Sequence, residues 1–309
     1  MAPDTHKQFV MVHGEKIFLD DRGKLDLRRK RISYMHQIEG LEELTGLKAL
    51  YLSNYTDISD LAPDLPQTFN KFKDLKDLKS FYEFLKRKDA IFPFNTFEEF
   101  KVLKSFQSLE FLYLDECHCL KKIDKEIGNL QKLKILSLKG CKSLTNLPET
   151  IGNLSSLKKL HIRNCSEIKE LPTNVTELHK LQVLWVDGVA FCSFLNRNGN
   201  LMSLKKLYIY NVREPIPESI GSLQALQELS LFGCFGFIRL PESMGNLKAL
   251  KKLSIIGSKF LTELPASLEN LQALKRLDLI GCGIESLPAR LRELRGLRGE
   301  RMKRISKRH

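Results

Sequence analysis

Apolar residues recur along this chain at two nested periods. The long period appears when the first leucine of each unit is aligned: Leu109, Leu133, Leu157, Leu181, Leu204, Leu226, Leu250 and Leu274 stand 22 to 24 residues apart. Within each unit the short period reads L-x-x-L-x-L, with Ile or Val sometimes in the third apolar place. In LKILSLKG, Leu136 and Leu138 fall on one face of a short strand, and Ile135, Ser137 and Lys139 on the other. So short a strand does not stand alone. The pattern predicts strands stacked side by side into a parallel sheet, with the leucine face closed by the rest of each unit.

That remainder reads LPETIGNL from Leu147 to Leu154, IPESIGSL from Ile216 to Leu223 and LPESMGNL from Leu240 to Leu247. Proline is expected at the first helical position, Ile151, Ile220 and Met244 turned inward, and Gly152, Gly221 and Gly245 in the left-handed conformation that ends a short helical turn. Ten such strands at about 4.8 Å give an inner sheet about 45 Å long.

The signature L-x-x-L-x-L-x-x-C/x is that of leucine-rich repeats. LPETIGNLSSLKKLHIRNC and LPESMGNLKALKKLSIIG resemble the plant disease-resistance and Ras-scaffold subclass, closely over Leu109–Leu297 and loosely over Leu25–Leu61. The resemblance implies an α/β fold, a curved leucine-rich-repeat solenoid with a concave parallel β-sheet and short helical turns on the convex side. It also implies protein binding on the concave face. The resistance receptors carry a nucleotide-binding domain, but here no G-x-x-x-x-G-K-[ST] loop is found, nor kinase motifs, so only the binding module carries over.

The expected organisation is an N-terminal cap with a partial repeat at Leu25–Leu27 (1–46), one repeat (47–61), an insertion (62–108), regular repeats (109–297) and a basic tail (298–309). In the insertion, Leu75, Leu78, Phe81, Tyr82 and Leu85 have helical spacing, closed by Pro93. In the tail, Leu291, Leu294 and Leu297 recur every third residue, which reads as the start of a capping helix.

Charge and cysteine content narrow the setting. The formal net charge is +13, and Arg290–His309 holds nine Lys or Arg against Glu293 and Glu300. No apolar run approaches the length of a membrane span and the N-terminus has no secretory h-region, so a cytoplasmic location is expected. The seven cysteines are odd in number and mostly follow the repeat register, which argues against a disulfide framework. Cys117, Cys141, Cys165, Cys234 and Cys282 share one slot and read as a structural ladder of small thiols where the chain leaves each strand. Val189, Val212 and Ser258 hold that slot elsewhere.

No cofactor or metal is expected. The Cys117-His118-Cys119 cluster has no second pair at zinc spacing, and the seven histidines are scattered, with none in register with a ladder cysteine. This argues against an enzyme. A binding surface is more legible. Between the strand leucines, the middle row reads Tyr51, Tyr113, Ser137, His161, Trp185, Tyr208, Ser230, Ser254, Asp278, and the next row Ser53, Asp115, Lys139, Arg163, Asp187, Tyr210, Phe232, Ile256, Ile280. Rings gather at Trp185, Tyr208, Tyr210 and Phe232 beside Lys159, His161, Arg163 and Lys206, and together with Tyr113 these are the expected partner-binding residues.

The reading is a monomeric, non-catalytic protein-interaction module, serving in signalling or as a scaffold. The alternative is nucleic-acid or acidic-surface binding through the tail and basic flank. Against it, Asp115, Asp187, Glu228 and Asp278 interrupt any basic track along the groove.

Overall fold

A computed structural model describes residues 8–12, 14–28, 30, 38–44, 46–52, 106–118, 120–197, 200–236, 238–294 and 296–298. The insertion up to residue 105, with its expected helix, and the tail beyond Arg298 lie outside the described residues.

The leucine alternation builds what it predicts. Eleven described strands form one parallel sheet in chain order, from Lys24–Asp26 through Ala49–Tyr51 and Phe111–Tyr113 to Gly296–Arg298. Each strand pairs with the same register, so that Leu112, Leu136, Leu160, Leu184, Leu207, Leu229, Leu253 and Leu277 form one row. All are fully buried. A buried leucine contributes about 1.5–3 kcal/mol, and identical neighbours in register leave no reason for a strand to slip.

The count exceeds the ten strands expected by one, and the C-terminal end supplies it. Leu25 and Leu27 are core residues of a true repeat strand paired to Ala49–Tyr51, not of the cap. The cover on that end is a separate antiparallel sheet of Phe9–Val12, Glu15–Phe18 and Ile38–Glu39. At the other end the capping helix lasts only Ala289–Arg292, and Gly296–Arg298 then pairs in parallel with Arg276–Asp278. Leu294 and Leu297 were the repeat's own L-x-x-L spacing, which a three-residue helical period imitates.

On the convex side the expected helical turns are five-residue 3-10 helices: Lys125–Asn129, Glu149–Asn153, Thr173–Glu177, Glu218–Ser222, Glu242–Asn246 and Ala266–Asn270. Proline stands one residue earlier than expected, as the extended N-cap, at Pro148, Pro172, Pro217, Pro241 and Pro265.

The glycines differ more. Gly152, Gly221 and Gly245 lie inside these turns and are absent from the left-handed residues of the described chain. What they provide is space: a Cβ on Gly152 would sit 2.3 Å from the carbonyl oxygen of Asn174, and one on Gly245 2.4 Å from that of Ser267. Glycine is therefore present where the next repeat's 3-10 turn packs directly on it. Where the next repeat is built differently, Thr176 and Glu269 hold the same place.

One repeat departs from the series. After the Val183–Asp187 strand the chain enters an α-helix, Gly188–Asn196, in place of a 3-10 turn, and buries Phe191, Phe194 and Leu195. Val189 accordingly leaves the ladder slot and is half-exposed on this helix. Downstream, every repeat strand from Lys206–Tyr210 to Arg276–Ile280 has five residues, whereas Phe111–Tyr113 and Ile135–Ser137 have three.

Candidate interaction surface

From Glu116 onward, the left-handed residues of the described chain occur where the repeat strands end. Gly140, Asn164, Asn211, Gly233, Gly257 and Gly281 all have positive φ immediately before the ladder slot, and Glu116 shares that conformation at φ 58°. This sharp turn sends the next side chain inward. Cys117, Cys141, Cys165 and Cys234 are buried, and Cys282 is partly so. The thiols of Cys141, Cys165 and Cys282 donate to the carbonyls of Leu114, Leu138 and Ile255 in the preceding repeat, at 3.1–3.2 Å. Burial pushes the Cys165 thiol up to about 12 and that of Cys234 up to about 11. Thiols so placed are poor nucleophiles. Ser258 is fully buried and accepts the amide of Cys234 in the same ladder. His118 bonds through Nδ1 to the carbonyl of Gly140 at 2.9 Å, and Cys119 lies outside the described residues. Among the described residues no group of three or more His, Cys, Asp or Glu is arranged to hold a metal ion.

On the concave face the expected rings come together as stacks rather than as separate exposed side chains. Parallel strands place residues of one row about 4.8 Å apart, close to the thickness of two rings in contact. Tyr51 and Tyr113 stack with centroids 4.5 Å apart, and Lys24 lies 4.6 Å over Tyr51. Ser137 interrupts the row and donates its hydroxyl to Asp115. Beyond it His161 meets Trp185 at 5.0 Å, and Trp185 stacks on Tyr208 at 5.3 Å. In the next row Tyr210 lies between two groups: the Phe232 ring at 4.6 Å and the Arg163 guanidinium at 4.0 Å. The rings are half-buried by one another, and their edges face the groove.

The electrostatics follow from this packing. Burial lowers the pKa of His161, which favours a neutral imidazole, and its Nε2 is buried without a hydrogen-bond partner among the described residues. Lys206 is tied to Glu228 at 2.8 Å, and the Tyr208 hydroxyl donates to the same carboxylate at 3.2 Å. The lysine bond lowers the Glu228 pKa, while burial and Glu228 push Tyr208 up to about 12. Lys159 is exposed. Asp187 accepts the backbone amide of Cys165 at 2.9 Å, and burial raises its pKa.

Residues missed from the sequence extend the band. Ile256 and Ile280 pair in register with Phe232, and Ile280 is 42% exposed. The exposed Phe235 ring packs against Gly233 beside them. The middle row below is small and buried: Ser230, Ser254 and Asp278, with Ser254 and Arg276 both donating to Asp278. An apolar band therefore crosses the face diagonally, from the middle row at His161–Tyr208 to the outer row at Tyr210–Ile280. The signal was in the two rows themselves: the second turns apolar where the first turns small.

Comparison with known proteins agrees with this architecture. Residues 90–232 match the family described as a leucine-rich repeat region. The chain has the fold of a leucine-rich-repeat solenoid. Its fold is similar to that of a leucine-rich-repeat protein from Leptospira interrogans, with a TM-score of 0.60 and 24% identity over 90% of this chain. The leucine-rich-repeat domain of the type III effector XopL is similar at a TM-score of 0.53 and 22% identity, covering 92% of this chain and 78% of that domain. The chain spans 59% of the length of the Leptospira protein. No curated protein matches the chain. Among the described residues, no helix is long and apolar enough to cross a membrane.

Proposed function

We propose that the chain is a non-catalytic protein-interaction module that receives a partner protein on the concave face, as a cytoplasmic, monomeric scaffold or signalling component. The observation that carries this reading is the diagonal band. Trp185, Tyr208, Tyr210 and Phe232, continued by Ile256 and Ile280, present ring edges and aliphatic surface across consecutive repeats, beside Arg163, Lys159 and His161. Rings fixed by stacking lose little conformational entropy on binding, and Trp, Tyr and Arg contribute much of the energy at measured interfaces. The resemblance of the repeats to the plant disease-resistance and Ras-scaffold subclass supports the same use of the concave face.

In the alternative, the tail and basic flank hold a nucleic acid or an acidic surface. Of that flank, Arg163 is engaged with the Tyr210 ring and Lys206 with Glu228, while Lys159 has neither an ion pair nor a ring contact among the described residues. The protein partner is therefore preferred for this face.

The test is affinity capture from nuclease-treated lysate with the wild type and a Trp185→Ala, Tyr208→Ala, Tyr210→Ala variant whose circular dichroism matches it. A protein retained by the wild type and lost by the variant is expected. Retention by both would remove the partner from the band.

A further inference from the structure

A second surface lies at the edge of the sheet where the strands begin, bordering the rings at Lys159 and Lys206. There the backbone runs as a continuous hydrogen-bonded ladder. The amide of Glu110 donates to Lys48, Lys134 to Glu110, Lys158 to Lys134, Gln182 to Lys158, Lys205 to Gln182, Gln227 to Lys205, Lys251 to Gln227 and Lys275 to Lys251, each at 2.7–2.9 Å. Residues separated by up to 62 positions in the sequence are thus direct neighbours, and six of these nine are lysines. Four of them carry a second cation at the next residue: Lys159, Lys206, Lys252 and Arg276. Eight steps at about 4.8 Å make the row about 38 Å long.

Little neutralises this row. Glu110 pairs with Lys134, Glu228 with Lys206 and Asp278 with Arg276, and Gln182 and Gln227 are uncharged. Lys158, Lys159, Lys205, Lys252 and Lys275 make no ion pair among the described residues, and Lys158, Lys159, Lys205 and Lys275 are exposed. A line of like charges at strand spacing repels itself and disfavours the folded array unless an anion neutralises it. Among the described residues the opposite edge, where the strands end, has no such row: Asp115, Glu116, Lys139 and Asp187 mix both signs there.

We propose that this edge binds a nucleic acid by its phosphodiester backbone, without reading its sequence. The ligand is chosen by chemistry. Protein interfaces are depleted in lysine and need an apolar centre, which this row lacks. A polyphosphate carries anions at regular intervals along one line and releases counterions when lysines replace them. Trp185 lies between His161 and Tyr208, and Tyr210 between Arg163 and Phe232, so these two rings offer little open face on which a base could stack. Contact is confined to the backbone.

The experiment uses the full chain and a fluorescein-labelled, mixed-sequence single-stranded oligonucleotide, followed by anisotropy between about 50 and 200 mM salt. The affinity is expected to fall with salt, by about 0.7 in log–log slope for each phosphate held. Replacing Lys158, Lys205, Lys251 and Lys275 by Gln should weaken binding at least about tenfold at low salt and flatten the slope by up to about 3. Replacing Lys121, Lys122, Lys125 and Lys142 by Gln removes the same charge elsewhere and should leave binding within about twofold. The Trp185→Ala, Tyr208→Ala, Tyr210→Ala variant should also keep it, which separates this site from the concave one. Equal losses in the two lysine variants, or no binding by the wild type, would overturn the proposal. So would binding of poly-L-glutamate or of anionic lipid vesicles in preference to the oligonucleotide, which would make the occupant an acidic protein or a membrane.

Discussion

The repeats before and after the Gly188–Asn196 helix share one skeleton and present different surfaces. Before it, the outer row is charged, at Asp115, Lys139, Arg163 and Asp187, and the middle row carries His161 and Trp185. After it, the outer row is Tyr210, Phe232, Ile256 and Ile280, while Ser230, Ser254 and Asp278 of the middle row are buried. Leucines, 3-10 turns and ladder slots continue through both blocks. The lesson is that a repeat fixes its inward letters through packing with identical neighbours, while its outward letters are free to change from one repeat to the next.

The junction is where this comparison breaks most easily. A Cβ on Gly188 would lie 2.7 Å from the Cα of Val212, so that helix and following repeat touch backbone to backbone. Gly188→Val is expected to cost about 3 kcal/mol, the upper range for overpacking. Because each repeat is stabilised by its neighbours, the urea transition should also broaden or split into two. A single sharp transition at the wild-type midpoint would show that the blocks are not coupled there.

Within the second block, Asp278 takes the place a ring holds in the first. Asp278→Ala strips the buried Ser254 hydroxyl of its acceptor and frees Arg276. Chemical denaturation should show a loss of about 1–3 kcal/mol. A value near zero would mean that the small middle row is only filler.

Arg163 bridges the two blocks by reaching over Tyr210. Arg163→Ala should cost about 0.5–1 kcal/mol, since the contact is at the surface, and Arg163→Lys should restore part of it. If both variants match the wild type, the cation adds nothing to the stack.

The smallest effect is a pH trend at Asp187, the last charged residue of the first block. Burial raises its folded pKa above the ordinary 3.8, so the protonated form favours folding. That contribution is complete below the unfolded value and is lost as pH rises through the raised folded one. Asp187→Asn keeps an acceptor for Cys165 and should gain stability over the wild type as pH rises from about 3.8, the ordinary carboxylate value. Parallel melting profiles of the two proteins across that range would exclude the effect.

How much was legible varies with how local each feature is. The strand leucines and inward Ile151, Ile220 and Met244 were read from spacing alone, because a period of 22 to 24 residues with fixed apolar slots has one packing solution. The ladder slot was also legible, as was the row to which each ring belongs. The role of Gly152 and Gly245 was not, because a glycine looks the same whether it supplies a left-handed turn or room for a neighbouring carbonyl.

The sequence by itself thus determined the solenoid, its register and which letters face inward, since each of these repeats within a single unit. Only the tertiary structure decided what the outward letters do together. Stacking turned separate rings into a half-buried band, Glu228 took Lys206 out of the basic flank, and six lysines scattered over Lys48–Lys275 became one edge. The physical reason is distance: strand pairing brings residues a whole repeat apart to about 4.8 Å, and contacts across that gap have no trace in any single stretch of chain.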